Sequence, residues 1–156
     1  MNPAYAQILR ELLRSQEIAA LGTLHDGQPF VSMVPFALLP GNANFIIHVS
    51  RLAMHTKDML SSPNASLLVV APRASGITAQ ALARITVQGQ ALLCTDACHA
   101  EAKAAYLSRF PHSAEMFGFA DFSLFIIQPS SIRFVGGFGQ ATSITPETFA
   151  DILSRG

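Results

Sequence analysis

The sequence predicts a small, mostly antiparallel β-barrel, mainly β with peripheral helices, and three observations carry that prediction. Runs of apolar residues, several alternating with polar ones, mark six strands in the middle of the chain. Short turn signals such as Asp26-Gly27 and Pro40-Gly41 join neighbouring runs as hairpins rather than crossovers. Helical periodicity lies mainly at the two ends and in short stretches between strands, which leaves the helices outside the barrel.

The first helix starts at Asn2-Pro3, where Pro at the first helical position costs nothing for its missing N–H. Tyr5, Ile8, Leu9, Leu12 and Leu13 then form one apolar stripe up to about Glu17. AALGTL runs into the His25-Asp26-Gly27 turn, and FVSMVPFALL returns as the second strand. Pro35 removes a ladder donor from that strand and is expected at an edge or a bulge. PGNAN is a turn, FIIHVS the third strand, a helix follows from about Leu52 to Ser61, and SLLVVAP is the fourth strand.

RASGITAQAL reads as a loop. In ARITVQGQALLC, the fifth strand, Ile85, Val87 and Gly89 alternate with Arg84, Thr86 and Gln88, so one face is buried and the other polar or turned to a ligand. Thr95 caps a helix through roughly Ser108, FPHSAEMFGF is a turn and short helix, and DFSLFIIQPSSIRFVGG is a sixth strand broken at Pro129. Thr145-Pro146-Glu147 opens the last helix.

A chain of 156 residues makes one domain over residues 1–156 the expectation. Charged residues are 13% and AVILMFWYC residues 50%, a balance that leaves apolar surface for another subunit and predicts a homodimer. Ten Lys and Arg against ten Asp and Glu, with no basic run, argue against a nucleic-acid partner. No apolar stretch reaches the roughly 18 residues of a membrane span, and the N-terminus mixes charge into its apolar pattern, so the chain reads as cytoplasmic with no membrane partner. Cys94 and Cys98 are too few for a disulfide framework, and with His99 they lack a fourth metal ligand, so no metal is assigned. His25 reads as part of its turn, and His99 and His112 as solvated surface residues. Gly136, Gly137 and Gly139 make no dinucleotide fingerprint and suit a bulge or a close subunit approach.

The helix after FIIHVS has its charges reversed. Ser50 serves as N-cap, and Arg51, His55 and Lys57 precede the first acid, Asp58, although a helix start carries partial positive charge and favours anions. Arg51, His55 and Asp58 share one face, with Leu52, Met59 and Leu60 on the core side. A phosphate bound at that end would reverse the sign of these terms, with hydroxyls and cations to receive it; the alternative is a solvated surface that tolerates the penalty.

The order GQPF turn, VSMVPFA, FIIHVS, RLAMHTKDMLSSP, NASLLVV, ARITVQGQA, YLSRFPHS and DFSLFIIQPSSIRFVGGFGQA resembles the flavin-binding split barrel of the pyridoxamine 5'-phosphate oxidases. It is closest to the heme-utilisation branch of that superfamily, over roughly residues 10 to 141. The resemblance implies a six-stranded antiparallel split β-barrel, a homodimer with two equivalent clefts, and FMN as cofactor, with heme as a further possibility. The oxidase cations at either end of the second strand are replaced by Ser32 and Ala37. The Tyr-Thr pair closing the next strand becomes His48 and Val49, the Arg-Lys phosphate grip becomes Met54 and His55, and a flavin-contacting Gln becomes Arg84.

The resemblance thus implies a phosphate at Ser50, Arg51, His55, Thr56 and Lys57, and an isoalloxazine along Met33, Val34 and Pro35, with Ser32, His48, Val49 and Arg84 close by. Of the vitamin-phosphate clamp Tyr106 remains, while Phe110 stands in place of Arg and Ser113 is displaced, so oxidation of pyridoxamine phosphate is not expected. An apolar substrate side of Phe36, Tyr106 and Phe138 suits a planar, porphyrin-like partner. No catalytic acid or base is identifiable. An FMN-dependent oxidoreductase, a non-catalytic flavin- or heme-binding protein and an empty dimeric barrel are the readings that follow.

Overall fold

The computed structural model describes Met1 to Gly156. Its elements are α1 (Pro3–Ser15), β1 (Ile18–His25), β2 (Gln28–Pro35), β3 (Ala37–Leu38), β4 (Phe45–Ser50), α2 (Met54–Ser61), β5 (Asn64–Val70), β6 (Arg84–Leu93), α3 (Asp96–Arg109), β7 (Phe122–Val135), β8 (Ala141–Ile144) and α4 (Pro146–Ser154). All strand pairs are antiparallel, in the order β2-β1-β5-β6-β7-β4-β3, with β8 added to β7. β2 and β3 stand at opposite ends of that order but are separated in sequence only by Phe36. The sheet is therefore curled into a half-barrel whose two ends are joined through one residue. Phe36 is fully buried against Phe45, and its N–H donates to Glu17 O at 3.0 Å.

The strand count exceeds the expected six, and each difference has a local cause. Pro35 ends β2, which is an edge strand as its missing donor requires, so the second run divides into β2 and β3. ATSI is too short to show a period by itself and becomes β8 because β7 offers it a partner from Ile132 to Val135. β7 runs unbroken through Pro129: a register shift between Gln88 and Gly89 absorbs the proline on the partner strand. A Cβ on Gly89 would collide with the Gln128 carbonyl, which explains glycine at that point. The glycines after β7 form the β7–β8 turn rather than a bulge, with Gly139 at φ +70°.

Helix ends follow their capping chemistry. Asn2 accepts from Ala4 N–H at 2.8 Å ahead of Pro3, and Ala6, Leu9, Leu12 and Leu13 are the buried stripe of α1. Each such leucine contributes about 1.5 to 3 kcal/mol through burial. Asp26 and Gly27 both adopt positive φ, 50° and 77°, as a two-residue hairpin turn of type I′ demands. The main core fills the half-barrel under α1 and α4. A second, smaller core lies on the other face of β4 and β7, where Ile46, Leu124 and Ile126 meet Ala102, Tyr106 and Phe110 from α3 and its end. α3 is alanine-rich, with Asp96 in its first turn and Arg109 in its last, both matched to the helix dipole. Cys94 and Cys98, too few for a disulfide framework, are joined in a single disulfide across the β6–α3 junction. No group of His, Cys, Asp or Glu is gathered for a metal, and no helix is long and apolar enough to cross a membrane.

Candidate functional site

The reversed-charge segment folds one turn later than its sequence suggests. α2 begins at Met54, with Ala53 rather than Ser50 in the N-cap position and no side-chain cap. Ser50 instead holds the preceding turn: its Oγ donates to Asp121 Oδ2 at 2.9 Å and accepts from Leu52 N–H at 3.1 Å. Thr56 Oγ1 donates to Ser50 O at 2.6 Å, and Arg51 Nε donates to Ser123 Oγ at 2.9 Å. The hydroxyls and one guanidinium edge that were to receive a phosphate are thus engaged with the protein. Asp121 also places a carboxylate beside Ser50, where a dianion would be repelled.

The apolar side of this segment also differs from expectation. Met59 is buried, but Leu52 and Leu60 point outward, because Leu52 precedes the helix and Leu60 follows the residue that packs. Two polar residues of α2, Thr56 and Asp58, are buried instead. Asp58, buried, accepts from Thr23 Oγ1 at 2.9 Å and pairs with His25 Nδ1 at 2.7 Å, which ties α2 to β1. His25 is therefore more than a turn residue. Its hydrogen bond to Asp58 raises its pKa; burial pushes Asp58 up, but the bonds from His25 and Thr23 outweigh that and hold the carboxyl below its ordinary range.

One turn earlier, His55 Nδ1 lies 2.9 Å from Ser32 Oγ on β2. Burial lowers the His55 pKa, partly offset by the nearby charge of Asp58, so the ring favours its neutral form. With the proton on Nδ1 the ring donates to Ser32, and the Nε2 lone pair is left without a protein partner and open to solvent. Among the expected cofactor residues, Ser32 and His55 join β2 to α2 directly, as Thr56 joins Ser50 within the turn before α2. Lys57 is exposed on the same helix.

Register separates the others. Cross-strand partners share a face, so Met33 opposite Ala20 and Val31 opposite Gly22 lie on the outer face with Leu68 and Val70 of β5. Pro35 is exposed on that face, while Val34 and Val49 point into the barrel core. Arg84 stands on the outer face at the far end of β5 and β6, where its guanidinium donates to Gln80 O and Leu82 O, both at 3.0 Å. The expected substrate side is dispersed in the single chain: Phe36 is in the main core, Tyr106 in the second core, and Phe138 is 76% exposed on the β7–β8 turn.

His48 packs away from His55, on the α3 side of β4. It is 7% exposed, stacks on Phe117 and meets Tyr106 edge-on. Burial, then the positive charges of His99 and Lys103, push its pKa down to about 4. Sequence reasoning missed both Asp121 and the His25–Asp58 pair, because each joins residues more than 30 positions apart and neither has a local pattern.

Comparison with known proteins bears on the same fold. The chain is 35% identical over 136 residues to the chloroplastic non-canonical heme oxygenase HOZ of Arabidopsis thaliana, a match covering 85% of this chain and 40% of that protein. It is 24% identical over 154 residues to the heme oxygenase HutZ of Vibrio cholerae, covering 93% and 84%. The solved structure of a heme binding protein from Mycobacterium smegmatis superposes with a TM-score of 0.85 at 31% identity, covering 97% of this chain and 62% of that one. The chain thus spans well under half of HOZ and under two thirds of the mycobacterial protein. A half-barrel of this topology, matched by the family model described as CREG, beta-barrel over residues 2–151, places the chain in the CREG β-barrel family.

Proposed function

We propose that this chain is a heme-binding split-barrel protein of the heme-utilisation type, and that it binds heme as a homodimer at the edge of β2. The carrying observation is the Ser32–His55 pair: a neutral imidazole with Nδ1 anchored and Nε2 free, as an iron ligand requires. The relatives named for heme lend the reading its ligand. Val31 and Met33 are exposed on the opposite face of β2 from Ser32, where they offer apolar surface to a second copy rather than to the porphyrin. Bound heme would supply the oxygen and electron chemistry. His55 would hold its iron and Ser32 would fix the ring.

FMN-dependent oxidoreduction is the second reading, favoured by the Arg51 and Lys57 cations ahead of Asp58. Asp121 at Ser50 weighs against its phosphate. Titration of the purified chain with hemin and with FMN tests both readings. A saturable Soret shift that is lost in His55→Ala supports heme; quenching of flavin fluorescence without a Soret change overturns it in favour of FMN. Failure of both leaves neither standing.

A further inference from the structure

A cavity of about 500 Å³ opens between α1, α4 and the β3–β4 turn, on a part of the molecule that the heme reading does not use. Three of the ten Lys and Arg residues in the chain, Arg10, Arg14 and Arg109, line it, and no Asp or Glu does. Leu13, Leu38 and Leu153 supply an apolar wall. In a chain whose formal net charge is zero, this is a concentrated positive site.

Part of that charge has a structural duty. Arg10 Nη1 donates to Ile152 O at 3.2 Å and Nη2 to Gln7 Oε1 at 2.9 Å, and Arg109 Nη2 donates to Gln16 O just past the end of α1. Carbonyls near helix ends attract such cations. The duty is incomplete. Arg14 makes no hydrogen bond or ion pair, and Arg109 Nε is buried without an acceptor. The Arg109 guanidinium lies over Phe36 and Phe110, and burial lowers its pKa while Glu17 opposes that change from outside the cavity lining. A partly desolvated guanidinium that shares its cavity with two further arginines and no Asp or Glu side chain is the arrangement an incoming anion would complete.

We infer that this cavity binds an amphipathic organic anion, with a carboxylate or phosphate head between Arg14 and Arg109 and a short apolar body against Leu13, Leu38 and Leu153. The volume lies within the roughly 300 to 1,000 Å³ of small-molecule sites, and planar guanidinium forks match either head group. The site is independent of heme.

The test is calorimetric titration of the purified chain with octanoate, octyl phosphate, octanol and inorganic phosphate. One of the two amphipathic anions is expected to fill one site per chain, with octanol and inorganic phosphate at least about tenfold weaker, and the preferred head distinguishes carboxylate from phosphate. Arg14 is exposed and unpartnered, so Arg14→Gln should melt like the parent chain and bind the anion about tenfold more weakly. Ser154→Trp, at the cavity mouth, should block binding. Hemin titrated with octanoate present should keep its affinity. Octanol binding as tightly as octanoate, no binding of either anion at millimolar concentration, an unaffected Arg14→Gln, or displacement of hemin by octanoate would each overturn the inference.

Discussion

The imidazole of His48 lies flat on the ring of Phe117, with centroids 3.9 Å apart and planes 9° from parallel. Alternation along β4 puts Phe45, Ile47 and Val49 in the barrel and turns Ile46 and His48 toward α3, so the histidine is used as an aromatic plate. Its Nδ1 is buried without a partner. The ring remains neutral in the folded chain down to about pH 4, whereas in the unfolded chain it titrates near 6.5.

Between those two values the unfolded state binds the extra proton, so acidification through that window removes stability, on the order of 3 kcal/mol by its low end. His48→Phe keeps the stack and removes the titration. Chemical unfolding from pH 7.5 to 4.5 should show the variant losing less stability than the parent chain; parallel curves would refute the buried neutral histidine.

His25 and Asp58 act with the opposite sign. The His25 pKa is raised, so its contribution is fully present below about 6.5 and is lost as pH rises through its folded value. Asp58 is depressed, so its contribution is present above about 3.8 and is lost as pH falls through its lower folded value. The pair therefore stabilises most between those limits. His25→Asn should cost the chain more at pH 5.5 than at pH 8.5, measured by urea midpoint. A cost equal at both pH values would mean that the 2.7 Å contact carries no charge.

Removing the ligand side chain is the most direct check of the heme reading. His55→Ala should abolish the Soret shift, and Ser32→Ala should weaken hemin binding about tenfold or more, the range for losing an outer-shell partner of a ligating histidine. Because burial keeps the folded His55 pKa below 6.5, binding should persist below that pH instead of fading there as it would for a solvated histidine. Hemin affinity measured at pH 6 and pH 7.5 decides this point.

Most of the fold was legible because its signals are local. The Asp26-Gly27 turn, the Asn2-Pro3 cap and the Ile85–Val87–Gly89 alternation each carry their meaning within a few residues, and each has its expected outcome. The candidate site was less legible because its meaning is set by partners far along the chain. Ser50 is a sound N-cap by type, but Asp121, 71 residues away, claims its hydroxyl, and helix α2 starts at Met54 instead. Asp58 looked like an exposed acid on the polar face of a helix, but Thr23 and His25 draw it into the interior. Arg84 shows the same limit, since alternation placed it on the polar face but could not show that the Gln80 and Leu82 carbonyls occupy it.

The outer face of β2, β1 and β5 supports the last prediction. Val31 is 68% and Met33 59% exposed, and Leu68 and Val70 continue the same face across the sheet by register. Apolar side chains contiguous over three strands beside an unpaired edge strand form a surface that a second copy can cover about a two-fold axis, each β2 meeting the other chain. Sedimentation of the parent chain at micromolar concentration should give a dimer of 16.7 kDa protomers. Val31→Glu places a charge on the edge strand of that face without entering the core, so the variant should sediment as a folded monomer with unchanged far-UV dichroism. It should also bind hemin more weakly, since the proposed site belongs to the dimer. A parent chain that remains monomeric with and without hemin would remove the dimer from the proposal, and a Val31→Glu dimer would place the interface on another face.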